Sequence, residues 1–182
     1  MADDAHQGPL DKRWHLATND HEIAVAEMEY ALIRAFEAFG HWQAECFASV
    51  TGESLSGSDN ALLHVIRMKD RPKSIREIAR LTNRDDTPNI QYSLRKLANQ
   101  GLIEKQDGNS QRRGVTYCVT ERGRAVTDAY ADLRRRLLID FTQSVSNLET
   151  ALTDATRTLD LMSGIYEQAA RIAATHRDTG EA

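Results

Sequence analysis

Residues 74–117 decide the reading: Ser74-Ile-Arg-Glu-Ile-Ala-Arg-Leu81, a polar turn, Thr87-Pro-Asn-Ile-Gln-Tyr-Ser-Leu-Arg-Lys-Leu97, Gly101-Leu-Ile-Glu-Lys105, a basic Gly-containing loop, and Val115-Thr-Tyr117. Ser74 suits an N-cap and Glu77 stands three residues on, the arrangement of a capping box. Ile75, Ile78, Ala79 and Leu81 recur at helical spacing, which predicts one short helix. Asn83, Arg84 and Asp85 carry no apolar side chain and read as a turn. A second helix is expected to start with Thr87 as cap and Pro88 at the first helical position, where a missing N–H costs nothing. Ile90, Leu94 and Leu97, at i, i+4 and i+7, form its inner stripe, and Gly101 suits the left-handed conformation that ends it.

That stripe leaves Asn89, Gln91, Tyr92 and Arg95 facing outward, with Thr87 and Pro88 at the exposed N-terminus. Two short helices joined by a tight turn, the second with a polar outer face, suit a helix-turn-helix. Asn and Gln amides match adenine edges in the major groove, and Tyr92 and Arg95 reach phosphate or base. Ser74, opening the first helix, joins the expected DNA contacts. Residues 102–106 and 115–119 are strand-like, and Asp107-Gly-Asn-Ser-Gln-Arg-Arg-Gly114 between them reads as a hairpin loop. A hairpin after a helix-turn-helix makes a winged helix with a two-stranded wing. Arg112 and Arg113 are expected in a narrow minor groove, where negative potential is greatest.

Further out, the chain of 182 residues is 41% apolar but only 6% aromatic with three prolines, a composition that points to a mainly helical protein. Its net charge of −4 hides an asymmetry: residues 67–124 hold 14 Lys/Arg against 7 Asp/Glu, and the remainder 9 against 20. A basic centre between acidic ends fits a phosphate-bearing partner at one face. No apolar run is long enough to span a bilayer, the N-terminus does not read as a signal peptide, and Cys46 and Cys118 form no pairing motif. A cytoplasmic, reduced protein without membrane contact is expected. The six histidines lack metal-ligand spacing, and no phosphate loop, nucleophile elbow or dinucleotide fingerprint occurs, so neither metal, cofactor nor enzymatic activity is expected.

The flanks read as helices. Residues 1–19 form a polar arm, 20–55 an N-terminal dimerisation helix with its loop, 56–119 the winged helix-turn-helix domain, 120–176 C-terminal dimerisation helices, and 177–182 a tail. Ile23, Ala26, Tyr30 and Ile33 keep helical steps, and Phe39, Trp42, Cys46, Phe47 and Val50 extend them. Ser58 or Asp59 caps a helix whose inner face is Leu62, Leu63, Val65 and Ile66. Thr120 caps another, running to about residue 144, with Ala125, Val126, Ala129, Leu133, Leu137 and Phe141 inward and a basic run, Arg134–Arg136, on a solvated face. Finally Leu148, Leu152, Ala155, Leu159, Met162, Tyr166, Ala169 and Ala173 step by four and three, an a/d seam. Such a seam needs a partner helix, which predicts a two-fold homodimer through Ile23 and Tyr30 of the first helix and Leu148, Leu152, Leu159, Met162 and Tyr166 of the last.

Ile78-Ala79, Leu97, Gly101-Leu102-Ile103, the Arg112-Arg113 pair and Thr120-Glu-Arg-Gly123 together resemble the MarR family of bacterial transcription regulators. The resemblance covers about 60 residues closely. Gln111 stands where family members usually carry an Asp that holds the first wing arginine. It implies a homodimer on a pseudo-palindromic double-stranded operator, acting as a repressor released by a small-molecule effector. Family ligands are small aromatic or anionic molecules bound between the dimerisation helices and the winged domain. Here His41, Trp42, Cys46, His64 and Arg67 are the expected effector residues. Some relatives sense peroxide through a cysteine near the start of the first helix; Cys46 lies near its end and reads as a small buried hydrophobe. The alternative from another class is a winged-helix protein–protein interaction module without DNA binding.

Overall fold

The computed structural model describes residues 15–106 and 114–176. They fall into two compact units that meet between Leu133 and Arg134. The first holds α1 (Asp20–Thr51), α2 (Gly57–Arg67), β1 (Lys73–Ser74), α3 (Ile75–Leu81), α4 (Thr87–Asn99), β2 (Ile103–Gln106), β3 (Thr116–Val119) and all but the last residue of α5 (Glu121–Arg134). It is mainly helical, with a small antiparallel sheet and a long helix before the winged elements.

Local chemistry sets the ends of these elements. Asn19 caps α1 by accepting the Glu22 N–H at 3.0 Å. Ser56 caps α2 by accepting the Asp59 N–H at 3.2 Å, so this helix starts earlier than a cap at Ser58 or Asp59 implies. The α4 helix ends at Gly101, whose φ of 68° is left-handed as expected, and the Leu102 N–H returns to the Leu97 carbonyl at 3.0 Å. Chain reversal there drops Leu102 and Ile103 into the core.

That core gathers Phe47 of α1, Leu55, Leu62, Leu63 and Ile66 of α2, Ile78 of α3, Ile90, Leu94 and Leu97 of α4, and Leu102, Ile103 and Val119 around the sheet. Full burial of each large side chain contributes roughly 1.5–3 kcal/mol. Two glycines let backbones touch within this unit. A Cβ on Gly57 would sit 2.3 Å from the Gly40 carbonyl oxygen where α2 meets α1, and one on Gly123 only 2.0 Å from that of Leu102.

The sheet has three strands, in the order β1-β3-β2, where two were expected. β2 pairs with β3 from Ile103↔Val119 to Gln106↔Thr116, and the added strand pairs Lys73↔Tyr117 and Ser74↔Thr116. Lys73 explains the addition. Its side chain is wholly buried, and Nζ donates to the carbonyls of Ile66 at 2.8 Å, Arg71 at 3.1 Å and Met68. The ammonium thereby satisfies the open carbonyl end of α2 while its backbone extends the sheet. To bring Lys73 back, Lys69 and Asp70 adopt φ of 62° and 47°. Asp70 is held there by Arg67, at 3.3 Å, and by Arg124.

On α5 the buried face differs from the expected one. Gly123, Thr127 and Tyr130 are buried and Val126 and Leu133 half-buried, whereas Ala125 and Ala129 are exposed, as are Leu137 and Phe141 beyond the end of α5. Contact at the Gly123 backbone, a ring contact of Tyr130 with His64 and hydrogen bonds to Thr127 choose the face. Alanine periodicity does not.

In the second unit the helical residues continue to Gln143, close to the expected end near residue 144. A π-helical turn spans Arg135–Ile139, α6 covers Asp140–Gln143, and Asn147, with φ of 63°, precedes α7 (Leu148–Thr175). No residue of α7 is buried. Among the described residues, no helix is long and apolar enough to cross a membrane.

Candidate nucleic-acid interface

The site builds outward from α4. Ile90, Ser93, Leu94 and Leu97 face the core, which leaves Thr87, Pro88, Asn89, Gln91, Tyr92 and Arg95 all exposed on one side. Tyr92 is 63% exposed, far more than a tyrosine that fills a core. Lys96 at the flank of the helix donates to Asp59 of α2 at 2.8 Å, and that carboxylate is buried. Burial alone raises the Asp59 pKa, but hydrogen bonds from Lys96, Ser93 and Ser56 outweigh it and hold the carboxyl below its ordinary range. One anchored carboxylate therefore fixes the roll of α4, and with it which side chains look outward.

At the front of the helix stands a cluster that the turn-like reading of residues 83–85 did not contain. Arg84 donates Nε and Nη2 to Asp86 Oδ1 and Oδ2, each at 2.9 Å, and Asn89 Nδ2 donates to Oδ2 at 3.0 Å. The Arg84 hydrogen bonds, then that of Asn89, pull the Asp86 pKa down to about 2. Asp86 is the N-cap residue, so Thr87 and Pro88 sit one place further into the helix than expected. The only signal in the sequence was an Arg two residues before an Asp at a helix start.

Ser74 is half-buried, and its hydroxyl is occupied by capping α3, where it accepts the Glu77 N–H at 3.2 Å. Glu77 does not close the capping box; its carboxylate takes Arg71 at 2.9 Å, which lowers the Glu77 pKa. Arg76 and Arg80 on α3 and Lys105 on β2 add exposed cations to this unit. Arg112 and Arg113 lie outside the described residues.

Of the five expected effector residues, His41, Trp42 and Cys46 lie on α1 and His64 and Arg67 on α2. His41 is exposed, 3.7 Å from Glu45. Trp42 is half-buried, with Nε1 unpartnered among the described residues, and Cys46 is buried, which pushes its thiol pKa up. His64 and Arg67 both meet α5: the His64 ring lies 4.4 Å from that of Tyr130, and Arg67 donates to Thr127 Oγ1 at 2.6 Å, the Arg124 carbonyl at 3.1 Å and Asp128 at 2.9 Å. Arg67 is thus engaged in joining α2 to α5. The Cys118 thiol is also raised, first by burial and then by Glu104 beside it, so the surroundings of both cysteines disfavour the thiolate.

Of the expected dimerisation residues, Ile23, Leu148, Met162 and Tyr166 are half-buried. Tyr30 is exposed, with the Arg34 guanidinium 5.3 Å from its ring centre, and Leu152 and Leu159 are 56% and 42% exposed. Leu161, Ile165 and Ile172 are exposed as well and widen the apolar stripe of α7. Counting the a/d seam alone misses them.

The helices α2, α3 and α4, the last with a polar outer face, and the three-stranded sheet define a winged helix. Residues 55–123 match the family model of a winged helix DNA-binding domain. The fold of the chain is that of MarR family transcriptional regulators. It is similar to BldR from Sulfolobus solfataricus, a transcriptional regulator, at 19% identity and a TM-score of 0.62, over 79% of this chain and 99% of that one. Staphylococcus aureus MarR, solved with salicylate and kanamycin, matches at 14% identity and a TM-score of 0.62, over 81% and 95%. Streptococcus pneumoniae FabT, solved in complex with DNA, matches at 16% and 0.59, over 79% and 98%. None of the curated proteins compared with the chain matches it.

Proposed function

We propose that this chain is a sequence-specific regulator of transcription that binds double-stranded DNA as a homodimer. The observation that carries this is the α4 helix: a wholly buried stripe on one side, and on the other Asn89, Gln91, Tyr92 and Arg95 exposed together, within a segment that matches a winged helix DNA-binding domain. In this reading α4 enters the major groove and the wing, with Arg112 and Arg113, the neighbouring minor groove. Half-sites then lie about one helical turn apart, roughly 10 bp, as two-fold symmetry on B-DNA requires.

Support for the homodimer is the apolar surface that the chain leaves open, Tyr30, Ile33, Phe36 and Phe39 on α1 and Leu152, Leu159, Leu161 and Ile165 on α7. Support for release by a small-molecule effector is the likeness to S. aureus MarR, whose structure holds salicylate. An effector that prefers a dimer with the wrong half-site spacing lifts the protein off DNA by population shift, which makes it a repressor of the promoter it covers.

The test is fluorescence anisotropy with random duplex and with the DNA upstream of the gene, each at two salt concentrations. Binding that weakens steeply with salt is expected, with a preference for the upstream duplex. Absence of binding from a folded dimer instead makes the winged helix a protein-interaction module.

A further inference from the structure

An Asp at a helix N-cap ordinarily accepts the backbone N–H of the second or third helical residue. Asp86 holds that position on α4, yet its side chain caps nothing. Both oxygens are turned sideways, Oδ1 to Arg84 Nε and Oδ2 to Arg84 Nη2 and Asn89 Nδ2, at 2.9, 2.9 and 3.0 Å. A carboxylate diverted from its local task to an exposed amide invites the question of what the amide does.

Asn89 has two N–H donors and one carbonyl acceptor. One donor is spent on Asp86, which settles which end of the amide is nitrogen. Left over on this exposed side chain are Oδ1 and one N–H. An acceptor beside a donor is the complement of the N6–H₂ and N7 groups of adenine in the major groove. An unheld Asn can turn its amide over and present the opposite order, so it discriminates less. Arg84 completes the device, since a bare carboxylate at the leading end of α4 would repel phosphate, and the two-point ion pair cancels that charge.

Resting on the DNA-binding reading above, we infer that Asp86 is a positioning residue for base readout: countered by Arg84, it locks the Asn89 amide to select adenine at one position of each half-site. A mere turn staple behaves differently. Its loss lowers stability, and affinity for all duplexes alike.

The full chain and its D86A, N89A and R84A variants are each mixed with a randomised duplex pool, and the bound DNA is sequenced. Affinities follow for the enriched duplex, its single-base-pair variants and random duplex, with thermal unfolding measured alongside. Wild type should prefer adenine about tenfold or more at one position, the discrimination expected of a two-point amide contact. D86A and N89A should lose that preference at that same position and keep the others, while D86A binds random duplex as well as wild type or better, because a negative charge has gone. R84A should weaken all duplexes in parallel. If D86A fails to fold, D86G supplies the test, since glycine is tolerated at an N-cap and carries no acceptor: adenine preference falls while random-duplex affinity holds. An unchanged base preference in the folded Asp86 variant, or a uniform loss across duplexes, overturns the inference. If the wild type binds no duplex at all, the DNA-binding reading fails first and takes this inference with it.

Discussion

α4 and α7 are both amphipathic helices, yet the protein treats them in opposite ways. On α4 the apolar stripe is sealed, with Leu97 0% exposed, whereas on α7 Leu152 stands 56% exposed and no residue is buried. Both stripes follow the same three- and four-residue steps. Periodicity says that a helix has an apolar side; it does not say whether the chain itself supplies the cover. A helix of 28 residues with an open stripe gains little from tertiary packing, which is where most helical stability in proteins comes from. In the proposed homodimer that cover comes from a second copy, so α4 belongs to the stability of the fold and α7 to the stability of the assembly.

The sharpest way to break this contrast is to shorten one leucine in each helix. Leu97→Ala should cost about 3 kcal/mol or more of unfolding free energy in chemical denaturation, since it opens a cavity in a closed core. Leu159→Ala should cost far less within the chain and instead raise the dimer dissociation constant in sedimentation equilibrium. An equal loss of unfolding free energy for both, independent of protein concentration, would show that α7 is covered within its own chain.

Glycine to alanine gives a second pair, with opposite signs. Alanine is the better helix former by up to about 1 kcal/mol in an open helix interior. At Gly164 of α7 nothing lies within 4 Å of the added carbon, so Gly164→Ala should raise stability by up to that amount. At Gly123 the same carbon meets the Leu102 carbonyl at 2.0 Å, and Gly123→Ala should cost roughly 1–3 kcal/mol as α5 is pushed off the α4–β2 corner. Thermal unfolding of both variants decides. A loss at Gly164 as well would mean that a partner surface lies against it.

The same physics explains how much of the molecule could be read in advance. The helix-turn-helix was legible because its signals are local: Ser74 as a cap, Gly101 at a left-handed stop, and Ile90, Leu94 and Leu97 on one face. The outward side of α4 followed from that stripe by subtraction. Lys73 was not legible, since a lysine reads as solvent-facing until three carbonyls are brought to it, and a two-residue strand is too short for a period of two to show. Nor was the face of α5, where Gly123 and Thr127 win over Ala125 and Ala129 through backbone approach and hydrogen bonding. Arg84 read as a turn residue and Asp86 carried no reading, because only the folded chain shows that their charges meet.

The smallest expected effects concern charge, and they too divide the two helices. Asp59, which anchors α4 through Lys96, has a folded pKa below its ordinary value. The anchored carboxylate of the folded state therefore contributes stability that is fully present above the unfolded value, near 4 for an aspartate, and is lost as pH falls through the lower folded value. Asp86 and Glu77 add to the loss with the same sign. Wild type should accordingly weaken as pH drops below about 4, and Asp59→Asn should be less stable at neutral pH and show a flatter acid limb in denaturant titrations. On α7 the Asp154–Arg157 pair, 3.3 Å apart, is exposed on both sides. Exposed pairs of this kind contribute little, so Asp154→Asn should shift unfolding free energy by less than about 0.5 kcal/mol at neutral pH. A larger shift there would mean that the charges of α7 are shielded from water, and that its partner surface covers more than the apolar stripe.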